Sequence, residues 1–221
     1  MEIVNTFFGF VVKLVDLFMH LDKHLNQVIA DYGTGTYVIL FLIIFCETGL
    51  VIAPILPGDS LLFAAGTFAA LGSLDVTVLI ALLCIAAILG DALNYSIGRK
   101  LGPKVLTENS KIFRKEYLDK TQAFYDKYGG KTIIFARFIP IVRTFAPFLA
   151  GVGKMPYGRF AMFNVVGGLI WIFVFVFAGY FFGNIPVVRK NFTLAIMAII
   201  VISVLPALFE AYRSSRESKS V

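Results

Sequence analysis

No lysine or arginine stands between Lys23 and Arg99, and no carboxylate stands between Lys127 and Phe209. The first stretch holds five acids (Asp31, Glu47, Asp59, Asp75 and Asp91), and the second, counting its ends, holds eight Lys or Arg. Charge is scarce throughout, at 15% of residues against roughly 25% in a typical soluble domain. That excludes an ordinary water-covered surface. Cys46 and Cys84 lie inside apolar runs without metal-ligand spacing, so they read as buried free thiols and not as a disulfide framework. His20 and His24 have helical i, i+4 spacing but no third ligand nearby, which argues against a metal site. No nucleophile–base pair and no Gly-rich phosphate loop is visible, so neither an enzyme nor a cofactor is expected. The N-terminus carries Glu2, has no basic cluster before its apolar run and has no small-residue cleavage site, so it reads as retained and not as a cleaved signal peptide.

What is abundant is apolar. The 221 residues are 58% hydrophobic with 23 Phe, and the mean hydropathy is +0.83. This is the composition of an integral membrane protein of one domain, 1–221. Residues 5–30 read as a helix at the membrane interface, within an N-terminal segment 1–33, because Lys13, Asp16, His20, Lys23 and His24 recur at three- and four-residue spacing opposite Phe and Leu. Gly33 and Gly35 end it. Residues 36–53 are apolar except for Glu47, Pro54 and Pro57 then break the chain, and 60–72 is too short to span alone. A full span with a short re-entrant piece and a helical hairpin entering and leaving on one side both fit. Val76 to Ile97 spans the bilayer.

The segment Arg99–Lys131 holds nine Lys or Arg against four acids, which marks it as cytoplasmic under the positive-inside rule. Within it, Phe113, Tyr117, Phe124 and Tyr128 fall at helix spacing and read as an interfacial anchor, stopped by Gly129 and Gly130. Residues 132–153 have the length of a span, yet Pro140 and Pro147 cut them and Arg137 and Arg143 divide them. A re-entrant hairpin fits better. Residues 160–183 and 191–211 form further spans, and the basic tail 212–221 places the C-terminus in the cytoplasm, with 72–75 and 184–190 facing outward. The expected fold is therefore all-α: an inverted repeat of two Pro-broken re-entrant hairpins each followed by a transmembrane helix (36–98 and 132–183), plus interfacial amphipathic helices and a C-terminal transmembrane helix.

Four ionisable groups thus fall at membrane depth: Glu47, Asp59, Arg137 and Arg143. A charge there costs roughly 2.5–3.5 kcal/mol on insertion scales, so such residues face a cavity, pair with one another or mark a substrate path. Inverted repeats place a site where the broken helices meet near the midplane, with the carboxylates facing the arginines. Arg137 and Arg143, six apart with Pro140 between them, can point into one cavity, and guanidinium groups match phosphate oxygens as bidentate donors. The bland alternative is that each arginine pairs with a carboxylate as structural glue. Desolvation favours a neutral carboxyl and a guanidinium neighbour favours a charged one, so protonation of Glu47 and Asp59 can follow the arrival of a substrate. Asp91, Asn94, Tyr95, Pro54, Pro57, Pro140 and Pro147 are further candidates for lining the cavity. Gly90, Asn94 and Gly98 share a helical stripe that reads as small-residue packing. Gly167, Gly168 and Trp171 read as packing or a dimer contact, which leaves a homo-oligomer open.

The stretches FCETGLVIAPILPGDSLLFAAG, GDALNYSIGRKLG, ARFIPIVRTFAPFLAGVGKMPYGRF and FNVVGGLIW, in that order, resemble the bacterial DedA family of membrane proteins along nearly the whole chain. The resemblance implies a multi-pass inner-membrane protein with two re-entrant elements. It also implies movement of polyprenyl phosphate carrier lipid or phospholipid between leaflets, driven by the proton motive force, in support of envelope biogenesis. The family's required acids fall on Glu47 and Asp59, and its required arginines on Arg137 and Arg143. Many relatives have Glu where this chain has Asp59, which changes that side chain's reach by one methylene.

Protons have an energetic rationale. A phosphate monoester carries about 1.5–2 negative charges, and moving it inward against an inside-negative potential costs about 2.3 kcal/mol per charge per 100 mV, or roughly 3.5–4.6 kcal/mol. Inward-moving protons offset that. Expected partners are thus membrane lipids and protons; nucleic acid is not needed to explain the net charge of +6. The alternatives are a proton-coupled cation or small-molecule antiporter, which would need the acids but tolerate loss of Arg143, and a non-transporting scaffold for envelope assembly, which would tolerate neutralisation of all four charges.

Overall fold

The computed structural model describes residues 21–50, 58–105, 129–199 and 201. These contain α1 (Leu21–Tyr32), a 3-10 turn (Gly33–Gly35), α2 (Thr36–Gly49), α3 (Gly58–Ala70), α4 (Val76–Val105), α5 (Lys131–Ala136), α6 (Pro140–Val152), α7 (Tyr157–Phe182) and α8 (Pro186–Lys190). Residues 192–199 are helical as well, and no strand occurs among the described residues. Among the described residues three stretches are long and apolar enough to cross a membrane: Lys23–Gly49, Val76–Leu101 and Tyr157–Phe182. The protein is an all-helical membrane protein.

Helix lengths follow local signals. Gly33, at φ +52, ends α1, as its sequence predicts, but the chain turns through one 3-10 bend and resumes helix at Thr36. Thus Lys23–Gly49 becomes one apolar helical run. Gly72, at φ +79, closes α3: its N–H bonds the Ala69 carbonyl and that of Ser73 bonds Phe68, the pattern of a left-handed helix stop. Asp75 then opens α4 by accepting from the N–H groups of Thr77 and Val78 at 2.8 and 2.9 Å. The spacing ends this helix near Gly98 and starts the basic loop at Arg99, whereas the helix runs to Val105. A helical backbone carries through Pro103 to Val105, past the point where the basic residues begin. The amphipathic stretch around Phe113–Tyr128, the first twenty residues, Pro54, Pro57 and most of 191–211 lie outside the described residues.

Pro140 takes the first position of α6 after an extended Ile139, where its missing N–H is no loss. Three residues, Arg137–Ile139, therefore separate α5 from α6. Pro147 lies inside α6 and cannot donate to the Arg143 carbonyl one turn back.

Packing is reciprocal between the halves. α2 packs on α4 and α5 packs on α7, but α3 packs mainly on α7, and α6 mainly on α4. The α3–α7 seam is close: a Cβ on Gly66 would strike the Val176 carbonyl, and one on Gly179 would strike that of Phe63. The α4–α6 seam repeats this, with Gly98 against Phe148 and Gly151 against Tyr95 backbone. Two apolar clusters result. The larger joins Leu62, Phe63, Leu79, Leu83, Ala87, Trp171 and Val176 with their neighbours, and the smaller joins Tyr95, Ile133, Ala150, Met155 and Phe160. Along α4 the large cluster stops at Ala87 and the small one starts at Tyr95. Between them lies a polar layer.

Candidate functional site

The layer contains Glu47 and Thr48 at the end of α2, Asp59 and Ser60 in the first turn of α3, Asp91 and Asn94 on α4, Arg137 after α5, Arg143 and Thr144 on α6, and Asn164 on α7. All are buried. Asp91 falls just past the middle of the 26-residue apolar stretch Val76–Leu101, so the layer lies near the middle of that helix. The four charges embedded in the broken segments are brought together, as the sequence pattern predicts.

Arg143 is held from both sides by the first half of the chain. One terminal nitrogen contacts Glu47 Oε1, and the other contacts Asp59 Oδ1 at 3.0 Å. The Gly58 N–H donates to the same Glu47 oxygen at 3.0 Å, so the turn into α3 fixes the carboxylate. There is no room for a side chain at Gly58: a Cβ would land on the Glu47 carboxylate. Trp171 completes the site. Its Nε1 donates to Asp59 Oδ1 at 2.8 Å, and the Arg143 guanidinium lies over its ring at 5.0 Å. Buried to 0% exposure, Trp171 belongs to the charged site and makes no exposed dimer contact.

Arg137 has a different set of partners. Its Nη2 donates to Asp91 Oδ2 and Asn164 Oδ1, and the Asn164 amide donates onward to the Ile88 carbonyl at 3.0 Å. Gly167 and Gly168 leave the space through which the Arg137 side chain runs. The two arginines are near enough to feel each other's charge, but they form two linked ion-pair sets instead of one shared ring. Arg137 uses one of its three nitrogens. Among the described residues its Nε and Nη1 have no hydrogen-bond partner, nor do Arg143 Nε and Glu47 Oε2, all of them buried, an uncommon concentration of unsatisfied atoms for a folded interior.

Asn94 donates to the Thr48 carbonyl at 3.1 Å and the Thr144 carbonyl at 2.8 Å, tying α2 and α6 to α4 directly beside the charges. Gly90 brings α2 against α4 by close approach to Thr48 and the Phe45 carbonyl, in keeping with the packing stripe. Tyr95 lies away from the charged layer: its hydroxyl donates to the Met155 carbonyl and accepts from Arg99 at 3.0 Å. Pro147, within α6, is buried. Cys46 and Cys84 are free thiols. Trp171, Asn164 and the pairing role of Asp91 were not legible as site features, although Asn164, Gly167, Gly168 and Trp171 repeat at i, i+3, i+4 and i+7 on one helix face.

A multi-span helical protein with a buried acid–arginine layer between two apolar cores is the class this geometry defines. The VTT domain family matches residues 56–181, more than half of the chain. Protein DedA of Escherichia coli strain K12 is 57% identical over 206 residues, covering 92% of this chain and 94% of that protein. The uncharacterized membrane protein ML0287 of Mycobacterium leprae is 46% identical over 80% of this chain and 82% of its own length. Inner membrane protein YghB of Escherichia coli strain K12 is 36% identical over 77% and 75%. The chain belongs to the DedA family. No solved structure matches it.

Proposed function

We propose that this protein is a lipid translocase of the bacterial inner membrane that moves a phosphate-bearing lipid, undecaprenyl phosphate or a related anionic phospholipid, between leaflets at the expense of the proton motive force. It is not an enzyme in this reading. The broken segments 36–72 and 132–153 act as two re-entrant hairpins of an inverted repeat, with the basic loop and the C-terminus cytoplasmic. α3 and α6, at 13 residues each, reach about 20 Å, short of a hydrocarbon core of about 30 Å, whereas α2 is the second part of the longer run Lys23–Gly49. The reciprocal packing of α3 on α7 and of α6 on α4 is what a pseudo-twofold relation between halves would produce.

The observation that carries the reading is the charge count of the buried layer. Two guanidinium charges, on Arg137 and Arg143, meet three carboxylates, on Glu47, Asp59 and Asp91, so the fully ionised layer has a net charge of minus one. An anionic phosphate is repelled by such a layer, and Arg143 is already occupied by two carboxylates. Protonating Glu47 and Asp59 removes both obstacles at once: it reverses the sign of the layer to plus one and frees the Arg143 fork for phosphate. Protons and phosphate are then taken up together, and their joint release resets the ion pairs. Arg137, with two nitrogens in reserve, is the second phosphate donor.

The test is leaflet transfer of labelled undecaprenyl phosphate and of phosphatidylethanolamine in proteoliposomes under an imposed proton gradient. The phosphate lipid should move faster with proton-inward force. Glu47→Gln and Asp59→Asn should fold yet show a flat, low rate. If both variants respond to the gradient like the parent, the carboxylates are structural partners of the arginines and proton coupling fails. An antiporter would keep its activity in Arg143→Gln, and a scaffold would support envelope growth with all the buried charges neutralised.

A further inference from the structure

A second polar site lies away from the buried layer. A cavity of about 260 Å³ opens where α1, the C-terminal ends of α3 and α7, and α8 converge, lined by Lys23, Asn26, Thr67, Asn184, Arg189 and Phe192 among others. It brings two cations together, and among the described residues that line it none is a carboxylate. Asn184 is anchored by its amide donating to the Thr67 carbonyl at 3.5 Å, while its Oδ1 is buried and has no partner among the described residues. Two cations beside an unused acceptor suit an anion that also carries a hydroxyl, such as a phosphate monoester with one proton. The volume is just under the roughly 300 Å³ at which pockets for drug-sized molecules begin. It holds a headgroup, not a chain.

The surroundings identify the source of that headgroup. Phe181, Phe182, Ile185 and Val187, next to the cavity in sequence, are 65%, 58%, 41% and 70% exposed. A cationic pocket rimmed by exposed aromatic and aliphatic side chains suits the interfacial zone of a bilayer and not a free ion. The pocket is also at the same end of the bundle as the 71–75 turn, the opposite end of α4 from the basic segment after Val105. Thr67 is eight residues along α3 from Asp59, about 12 Å. The two sites are thus separated by the α3–α7 seam, closed by Gly66 and Gly179 against the opposing backbone.

We propose that this cavity is a loading site for the phosphate of a membrane lipid in the leaflet away from the basic loop, from which the headgroup passes to Arg143 when the seam opens. This rests on the translocase reading above. Lys23 and Arg189 hold the phosphate oxygens, and Asn184 takes the hydroxyl.

The test uses the full-length protein in nanodiscs with a labelled short-chain isoprenyl monophosphate, alongside transfer assays in proteoliposomes. The parent should bind two equivalents. Lys23→Gln/Arg189→Gln should bind one and transfer with KM raised at least about tenfold, as expected for lost charged contacts, while kcat at saturation is unchanged; Lys23→Arg/Arg189→Lys should restore the parent values. Both cations are exposed, so folding is not at stake. Unchanged stoichiometry and KM in the Gln variant would overturn the loading site and leave the translocase reading intact. Conversely, Arg143→Gln should keep the outer equivalent and lose transfer; transfer at the parent rate would sink the role given to Arg143, and no gradient-driven transfer by the parent would sink the translocase reading, with the outer stoichiometry still reporting the cavity. If inorganic phosphate displaces the outer equivalent as well as the lipid does, the pocket reads the free ion and the lipid assignment is wrong.

Discussion

Asp91→Asn is the sharpest test of the charge count. Asp91 pairs with Arg137 in the buried layer, so the substitution removes one of three carboxylates and changes the fully ionised layer from minus one to neutral. It keeps an oxygen that can accept from Arg137, and the Asn is nearly the same size. If phosphate binds only as the layer gains protons, linkage requires the slope of log affinity against pH to equal the number of protons taken up. If the sign of the layer is what admits phosphate, the variant reaches plus one with a single proton on Glu47 or Asp59 and needs one fewer than the parent. Its affinity should therefore fall more gently with rising pH, by one factor of ten less per pH unit, equivalent to about 1.4 kcal/mol per unit. The measurement is equilibrium binding of a polyprenyl monophosphate to purified protein from pH 6 to 8. The lipid's own ionisation contributes equally to both proteins and cancels in the difference. Parallel slopes would mean that freeing both arms of Arg143, and not the sign of the layer, sets the number of protons, and the charge count would fail as the basis of coupling.

Arg143→Lys retains a charge but cannot reach Glu47 and Asp59 with two separate nitrogens, so transport should fall nearly as far as in Arg143→Ala; full activity in the Lys variant would show that a point charge suffices. In Arg143→Ala two carboxylates lose their buried partner, which should lower stability by about 3–5 kcal/mol in thermal or denaturant unfolding at neutral pH, with part of that loss recovered at low pH as the acids protonate. Trp171→Phe keeps the ring under Arg143 but removes the donor to Asp59, so a loss of about 1–3 kcal/mol is expected, and replacement by Leu should cost more. A single cysteine at position 115 in a Cys-free background should react with an impermeant thiol reagent only after the inner membrane is opened, whereas one at Val187 should react in intact cells with a permeabilised outer membrane. The reverse pattern would invert the topology.

The parts legible in the sequence were those with an energetic anomaly. Glu47, Asp59, Arg137 and Arg143 stand out because each interrupts an apolar run at a proline break, where a charge and an irregular backbone are both costly. Their meeting follows from charge segregation between halves. Which acid meets which arginine does not. Asp91 lies in a helix whose neighbours Asn94, Tyr95 and Arg99 are also polar, so it looks like one member of a stripe and not the partner of Arg137. Trp171 looks like packing because an indole in an apolar span is ordinary; only the three-dimensional fold shows its N–H aimed at Asp59. The end of α4 is misplaced by the sequence for a local reason, since Gly98, Gly102 and Pro103 all resemble stop signals, yet the helix continues through them. The cavity at Lys23 and Arg189 joins segments more than 160 residues apart, and no local pattern carries such a relation.

Because each half of the molecule leans on the other, the protein is exposed during its own synthesis. Asp59 and Arg143 are 84 residues apart and Glu47 and Arg143 are 96 apart, an interval of several seconds to about twenty at translation rates of roughly 5–20 residues per second. Throughout that interval α3 has no α7 to lie against, and the two carboxylates have no guanidinium. Protonation is the inexpensive way for them to wait in the bilayer. The same chemistry that would admit a phosphate in the finished protein thus lets the first half enter the membrane before the second exists.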